Sequence, residues 1–546
     1  LHVLSSPILE EKRRYMGKAA KNILLIILSA IFCLSVIHEP LFAKPKKKKK
    51  SKGFDSAFED LEKDRTEKRT PTALDDFIKE AIDNMNISLK GRFIYYKDEV
   101  PTTTRIEKEF KDRNNPVFEE KLSYKTQIKR GNHFLATSGW LELGTQEDTY
   151  YGVTNSVDEE RRERRIHEIN ELYYVYKFNK ADYTAGKKIL RNGVSPIISP
   201  ADRLSPTDWN DPFDPRTLGV IYTSLDLYSD YGSITGAVLP FFAPSKYPSP
   251  RSRWTPPSDR EVTDRGALKK YAGDSSFTSE YPKISDTKNI QYFLKLQSSE
   301  VRGWDIYLSF FKGTSYFAPL RIDTRPISAE EAAANAADCV GSECKVRDDE
   351  PATRMYHIYE YIQVLNTAGG FSTTQGIFEI HAEALYQYSE RGPNYLGETV
   401  QKDDDYINYL GGMTINFSDW TRHIFLNQFR YIIEYTDEYV TKRIEDRTNY
   451  ISSIELRKRF YGIINMVMFE FPKYVSMRYM FIYQPKDKGW FHDASMKIDL
   501  IDRLYLNFKY QFFRGHEDSF YMKNWGHNDR GIFEIVYTFE AEKDKK

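Results

Sequence analysis

The chain has 546 residues, 79 basic against 79 acidic side chains, and a mean hydropathy of −0.61. Balanced charge leaves no nucleic-acid footprint, and so polar a chain is not a bundle of membrane helices, which needs repeated apolar runs of about 20 residues. Yet it carries 39 Tyr and 34 Phe against 7 Trp, a composition that suits thin sheets with one apolar and one wet face. Three cysteines exclude a disulfide-packed scaffold and a cysteine-rich metal or cluster protein.

The first feature along the chain is the apolar run Ile23–Ile37, preceded by Lys18 and Lys21 and followed by the small residue Ala43. A basic start, a short apolar stretch and a small residue before a polar chain read as a secretory signal peptide cleaved after Ala43. Met16 is placed to be the true start, with residues 1–15 an extension. The rival reading is an uncleaved anchor, because Lys46–Lys50 follow directly. Phe32 is too bulky a neighbour for Cys33 to be a lipidated cysteine. Residues 44–69 read as a flexible basic leader, either solvated or touching anionic lipid or cell-wall polymer. In Thr72–Asp83, Leu74, Phe77, Ile78 and Ile82 share a face at helical spacing and Thr72 can cap the start. This short amphipathic helix is expected to pack at a barrel mouth or to bind a periplasmic or envelope partner.

After about residue 87 the period changes to two. Tyr292, Leu294 and Leu296 oppose Gln291, Lys295 and Gln297, and Ile306, Leu308 and Phe310 oppose Asp305, Tyr307 and Ser309. Phe378, Ile380, Ala382 and Ala384 oppose Glu379, His381 and Glu383, while Leu506, Phe508 and Tyr510 oppose Asn507, Lys509 and Gln511. Phe533, Ile535, Tyr537 and Phe539 close the series. Further candidates include 88–99, 120–130, 167–178, 218–229, 353–365, 404–417 and 451–470. The total is 16 to 18 strands, the longer ones able to cross a bilayer. In lipid such a sheet must close on itself, so the expected fold is an all-β transmembrane antiparallel barrel spanning 87–546; a secreted soluble all-β protein is the alternative.

Three insertions interrupt the strands. Residues 191–217 carry five prolines and four aspartates, 241–286 include FFAPSKYPSPRSRWTPP, and 314–352 hold an alanine-rich turn and Cys339 and Cys344. The third is expected outside, with Cys339 and Cys344 closing a small disulfide loop or remaining two thiols. The first two either fold into the lumen or form a rigid external cap.

The segments Gly186-Lys187-Lys188, Asn192-Gly193 and Ser199-Pro200-Ala201-Asp202, with the proline-rich Val238–Pro244 and Pro248–Pro250 beyond them, carry a resemblance. Over residues 186–250 the chain resembles large, poorly characterised Gram-negative outer-membrane barrels known as a domain of unknown function, and more loosely alginate-export-like and porin-like barrels. Ser199 stands where that family usually has Asn. The resemblance implies an outer-membrane protein working beside lipid or hydrophobic-compound export.

No GxxxxGK[ST], HExxH, GxSxG or CxxCH occurs, and no motif asks for a cofactor. Ser476, Ser495 and His492 are ordinary residues of a wet wall, so no enzyme is expected; a rim-active barrel enzyme is the third reading. Glu379, His381 and Glu383 fall about 6.6 Å apart on one strand face, where they form a hydrated pore wall, a cation-selective strip or, with help from another strand, a metal site. Lys295, Arg478, Arg503 and Lys509 are expected to point inward beside them. The run Glu159–Arg165 reads as a solvated hairpin tip. The leading functional reading is an outer-membrane channel or substrate-specific conduit with a polar lumen narrowed by inserted loops. A plugged barrel that docks envelope partners is the runner-up.

Overall fold

The computed structural model describes residues 79–98, 115–145, 149–150, 164–248, 252–254, 277–280, 282, 289–301, 303–326, 353–393, 397–417, 426–447, 449–457, 461–472, 474–517 and 519–540. The expected signal peptide and leader, most of the expected 72–83 helix, the 159–163 part of the charged run and the Cys339/Cys344 pair lie outside these residues.

Eighteen antiparallel strands form one closed sheet. They are β1 (Asn86–Tyr96), β2 (Val117–Arg130), β3 (His133–Gly144), β4 (His167–Lys177), β5 (Ala181–Lys188) and β6 (Val220–Ser229). Then come β7 (Gly232–Leu239), β8 (Gln291–Val301), β9 (Trp304–Thr314), β10 (Gln363–Gln375), β11 (Phe378–Ser389) and β12 (Asp405–Asn416). The wall ends with β13 (Gln428–Lys442), β14 (Gly462–Glu470), β15 (Val475–Gln484), β16 (Gly489–Ile501), β17 (Leu504–Arg514) and β18 (Arg530–Glu540). Each strand pairs with its sequence neighbours, and β18 returns to β1 in continuous register from Asn86↔Glu540 to Tyr96↔Arg530. No sheet edge is left, which is what a lipid-spanning sheet requires.

The alternation in the sequence becomes the two faces of this wall. Leu294, Leu296, Ile306, Leu308, Phe310, Ile380, Tyr510 and Ile535 are exposed on the outside, an apolar surface suited to lipid. Their neighbours Gln291, Ser309, His381, Glu383, Gln511 and Glu534 are buried on the inside. One rim is closed mostly by tight turns. In those at 131–132 and 376–377, Gly131 and Gly376 take φ of +59° and +61°, a region that favours glycine. All three insertions leave from the opposite rim.

Two strands fall elsewhere than the periodicity suggested. Residues 353–360 leave the wall and form a small rim sheet with 277–280, Leu320–Pro326 and 450–451, and the wall strand is β10 instead. The sequence of β10, QVLNTAGGFSTTQ, hides its alternation behind Gly369, Gly370 and three threonines. Residues 451–470 likewise divide into a rim strand, a short helix (Ser453–Arg457) and β14. At the other rim, residues 79–83 are helical; Ala81 offers its carbonyl to Thr126 at 2.7 Å and Glu80 pairs with Arg130 at 2.8 Å, so this turn of helix lies against β2.

The loop between β11 and β12 is tied to the long-loop rim by an acidic run. Asp403 accepts from Ser453 N at 2.8 Å and Ser453 Oγ at 2.6 Å, and Asp404 accepts from Ile444 N at 2.8 Å and faces Arg443 at 3.4 Å. Full burial pushes the Asp403 carboxyl up to about 7, and the neighbouring Asp404 charge adds to the rise.

Two outcomes follow from this architecture. Ending the chain before Arg530 exposes the edges of β1 and β17, and heat-modifiable migration in detergent should be lost; a truncated chain that still runs as a compact barrel contradicts the closure. The raised Asp403 carboxyl stabilises the 401–405/443–457 cluster fully below an unfolded value of about 4, and that contribution is lost as pH rises toward 7. Proteolysis of this rim should therefore be slower at pH 5 than at pH 8 in the native chain, with the difference flattened in Asp403→Asn.

Candidate functional site

An eighteen-stranded barrel encloses more space than its own side chains fill. Residues 191–217 occupy that space as a strap that touches the wall on opposite sides. Leaving β5, the strap first meets β8 and β9. Asn192 donates its side-chain N–H to Ser309 Oγ at 2.6 Å and accepts at its carbonyl from Lys295 Nζ at 3.2 Å. Asp202 turns the chain here by accepting from Asn192 N at 2.5 Å and Gly193 N at 3.1 Å.

The next segment is fastened to β11 and β13. Glu383, 3% exposed, accepts four hydrogen bonds. Val194 N and Ser195 N donate at 3.4 and 3.2 Å, Ser199 Oγ at 3.0 Å and Tyr307 OH at 2.8 Å. Ser195 Oγ donates to Glu434 Oε1 at 2.7 Å, and His381 Nε2 lies 2.9 Å from the same oxygen. Two glycines make these meetings geometrically available. Gly370 stands in register between Tyr307 and Glu383, and Gly412 between His381 and Glu434. A Cβ at Gly412 would sit 2.6 Å from His381 Nε2, and one at Gly370 2.7 Å from the Tyr307 ring. Each glycine is a window through which side chains two strands apart touch.

Beyond Arg203, which pairs with Tyr406 and with Glu438, the strap crosses the lumen. Asp211 receives both terminal nitrogens of Arg530 from β18, at 2.7 and 2.9 Å. Asp214 receives Arg92 from β1 at 2.6 Å, and Arg92 also holds Glu534 at 2.6 Å and Glu119 at 3.1 Å. Arg216 pairs with Glu142 of β3. Bidentate and shared guanidinium–carboxylate contacts of this kind fix geometry as well as charge. Between them, Phe213 inserts an apolar anchor, its ring 4.5 Å from Phe491, 4.7 Å from Phe513 and 5.5 Å from Trp254. Trp254 and Lys246 come from the second insertion, whose Lys246 exchanges backbone hydrogen bonds with Thr207 and Trp209 of the strap.

The residues singled out by periodicity thus separate. Lys295, His381 and Glu383 hold or flank the strap. Glu379 keeps the same register but is exposed near the 376–377 turn. Arg478 faces Asp493 at 3.1 Å, and Lys509 adds to the positive surroundings of Asp214. Arg503 is not on a strand: it is exposed in the 502–503 turn, because β17 begins one residue later, at Leu504, than the alternation implied. Among the described residues no group of three or more His, Cys, Asp or Glu is arranged to hold a metal ion. Sequence reasoning missed Arg92, Asp211, Asp214, Glu434 and Arg530; the four aspartates of 191–217, set in a polar-walled barrel, were the signal for cationic partners.

No family model and no curated protein matches the chain. Among solved structures it is similar to OmpF of Salmonella typhi in complex with daunomycin, at 9% identity and a TM-score of 0.36, covering 83% of this chain and 97% of that one. It is also similar to OccK11 (OpdR) of Pseudomonas aeruginosa, at 9% identity and a TM-score of 0.41, covering 84% and 97%, and to OpdL of the same organism, at 8% and 0.39, covering 84% and 98%.

Glu383→Ala should leave Tyr307 OH, Ser199 Oγ and two strap amides without their acceptor, at a cost of roughly 1–3 kcal/mol per stranded buried group that stays dry. Limited proteolysis should then cut the 191–203 segment in folded barrels, while Glu383→Gln, which keeps an acceptor, should be cut much less. Equal resistance of the alanine variant and the native chain would remove Glu383 as the anchor.

Proposed function

We propose that the protein is an outer-membrane conduit for small polar solutes, with a bore set by the 191–217 strap. The observation that carries this reading is the strap's double fastening, to Glu383 and Glu434 on one wall and to Arg92 and Arg530 on the other. A loop that served only as an external cap has no need of buried partners on opposite sides of a lumen. The apolar outer face and closed hydrogen-bonded wall support placement in a bilayer, and long loops on one rim with short turns on the other support an outer-membrane barrel.

The unbroken ladder around all eighteen strands also favours passage along the axis. A lipid or hydrocarbon leaving sideways needs a parted pair of strands. The lumen carries Lys90, Lys121, Arg478 and Lys509 near Glu534, Glu142, Asp493 and Asp214 respectively. Its local fields therefore alternate in sign, which suits a solute that is wetted and oriented on its way through. The family suggested by residues 186–250, and any work beside export machinery, belong to this proposal.

Planar-bilayer conductance tests it. The native chain should show small discrete steps. Deleting 192–216 leaves adjacent strands β5 and β6 joined by a short hairpin, and the steps should grow several-fold. Identical steps in both forms would take the strap out of the permeation path. No current from either form, with a second envelope protein co-purifying, would replace the conduit with a docking barrel.

A further inference from the structure

The outer wall over β15, β16, β17, β18 and β1 carries a depression in the apolar girdle. In register, one row runs Tyr479–Ala494–Tyr510–Gly531–Tyr95. Ala494 and Gly531 leave a gap among large side chains, and a Cβ at Gly531 would meet nothing within 4 Å. The gap opens into an apolar depression of about 660 Å³, walled by Phe93, Met477, Met496, Phe508 and Phe533.

Directly toward the long-loop rim the chemistry changes. The next row holds Phe481, His492 and Phe512, with His492 stacked 4.1 Å from Phe512 and bonded to Tyr479 OH at 2.6 Å. The row after that pairs Trp490 with Arg514. Above it, residues 485–488 join β15 to β16 by the tightest described connection on this rim and expose Lys486 and Lys488. Arg514 is 40% exposed and bonds Asp529 at 2.7 Å; Asp487 is the acidic member of the turn. Neither Lys486 nor Lys488 has an ion pair among the described residues. Arg514 lies about 13 Å along the wall from the Ala494 row, four residues at strand rise.

We propose that this face binds an anionic acylated lipid of the leaflet on the long-loop side, its chain in the depression at Ala494 and Gly531 and its phosphate at Lys486, Lys488 and Arg514. The order of groups matches that of such a lipid: an apolar floor at bilayer depth, a belt of Trp, His and Tyr at the interface, and cations at headgroup level. A plain girdle solvated by bulk lipid needs neither the gap nor the cations above it. The four-residue 485–488 turn leaves room for a headgroup to approach this part of the wall. The inference rests on the membrane-spanning reading but not on what passes through the lumen.

Native mass spectrometry of the full chain in detergent, titrated with dioleoylphosphatidylglycerol and separately with dioleoylphosphatidylcholine, tests it. The native chain should hold one phosphatidylglycerol about fivefold or more tighter than phosphatidylcholine, the scale of one lysine near an anionic headgroup. Gly531→Trp fills the depression from open space and should lose that tight lipid. Lys486→Glu with Lys488→Glu should keep lipid binding but lose the preference for phosphatidylglycerol. Equal affinity for the two lipids, or a tight lipid unaffected by Gly531→Trp, overturns the site. A dimer that Gly531→Trp dissolves also overturns it and assigns the face to a second copy of the chain. Each variant is checked for heat-modifiable migration; a native chain without it would fail the membrane-spanning reading itself, a separate result from failure of the lipid site.

Discussion

Closure of the sheet is the constraint from which the other features descend. A backbone N–H or C=O facing lipid has no water to pair with, so β18 must find β1. Once eighteen strands close, the ring is wide, and its inward side chains cannot meet across the centre. The interior must then be water, inserted chain or both. In this protein a 27-residue insertion supplies much of it, and every polar group that the insertion brings into the lumen needs a partner there.

That requirement explains the distribution of buried charge. On the β8–β13 side the strap presents backbone amides and serine hydroxyls, and the wall answers with the carboxylates Glu383 and Glu434. On the β18–β1–β3 side the strap presents Asp211 and Asp214, and the wall answers with Arg530 and Arg92. Such pairs add little net stability over a well-packed apolar contact, because desolvation offsets most of the attraction. What they supply is position: removing one partner strands the other, so the strap has one low-energy seat. Phe213, seated between Trp254 and Phe513, gives the apolar part of the same fixing.

The wall was legible in the sequence wherever strands alternate cleanly, as in β8, β9, β11, β17 and β18. It was obscured at β10, where Gly369 and Gly370 replace the large outward and inward residues that periodicity needs. The reason is specific: Gly370 must be small for Tyr307 to reach Glu383, so the feature that builds the site erases the strand signal. The rim strand 353–360 misled for a different reason, since a rim sheet alternates as a wall does. Within the site, period two placed His381 and Glu383 inside, but their partners Glu434, Ser195 and Ser199 come from distant segments. No local pattern carries a contact between residue 195 and residue 434. The proline and aspartate content of 191–217 marked it as a structured insertion and left its seat, lumen or cap, open.

All of this requires the strap to be a fixed part of the lumen. Amide hydrogen exchange of the full chain in nanodiscs tests this most directly. Val194 and Ser195, whose N–H groups are held by Glu383, should exchange as slowly as amides of the neighbouring wall strands β11 and β13. Exchange of residues 192–203 at the rate of an unstructured surface loop, with β11 and β13 still protected, would contradict it.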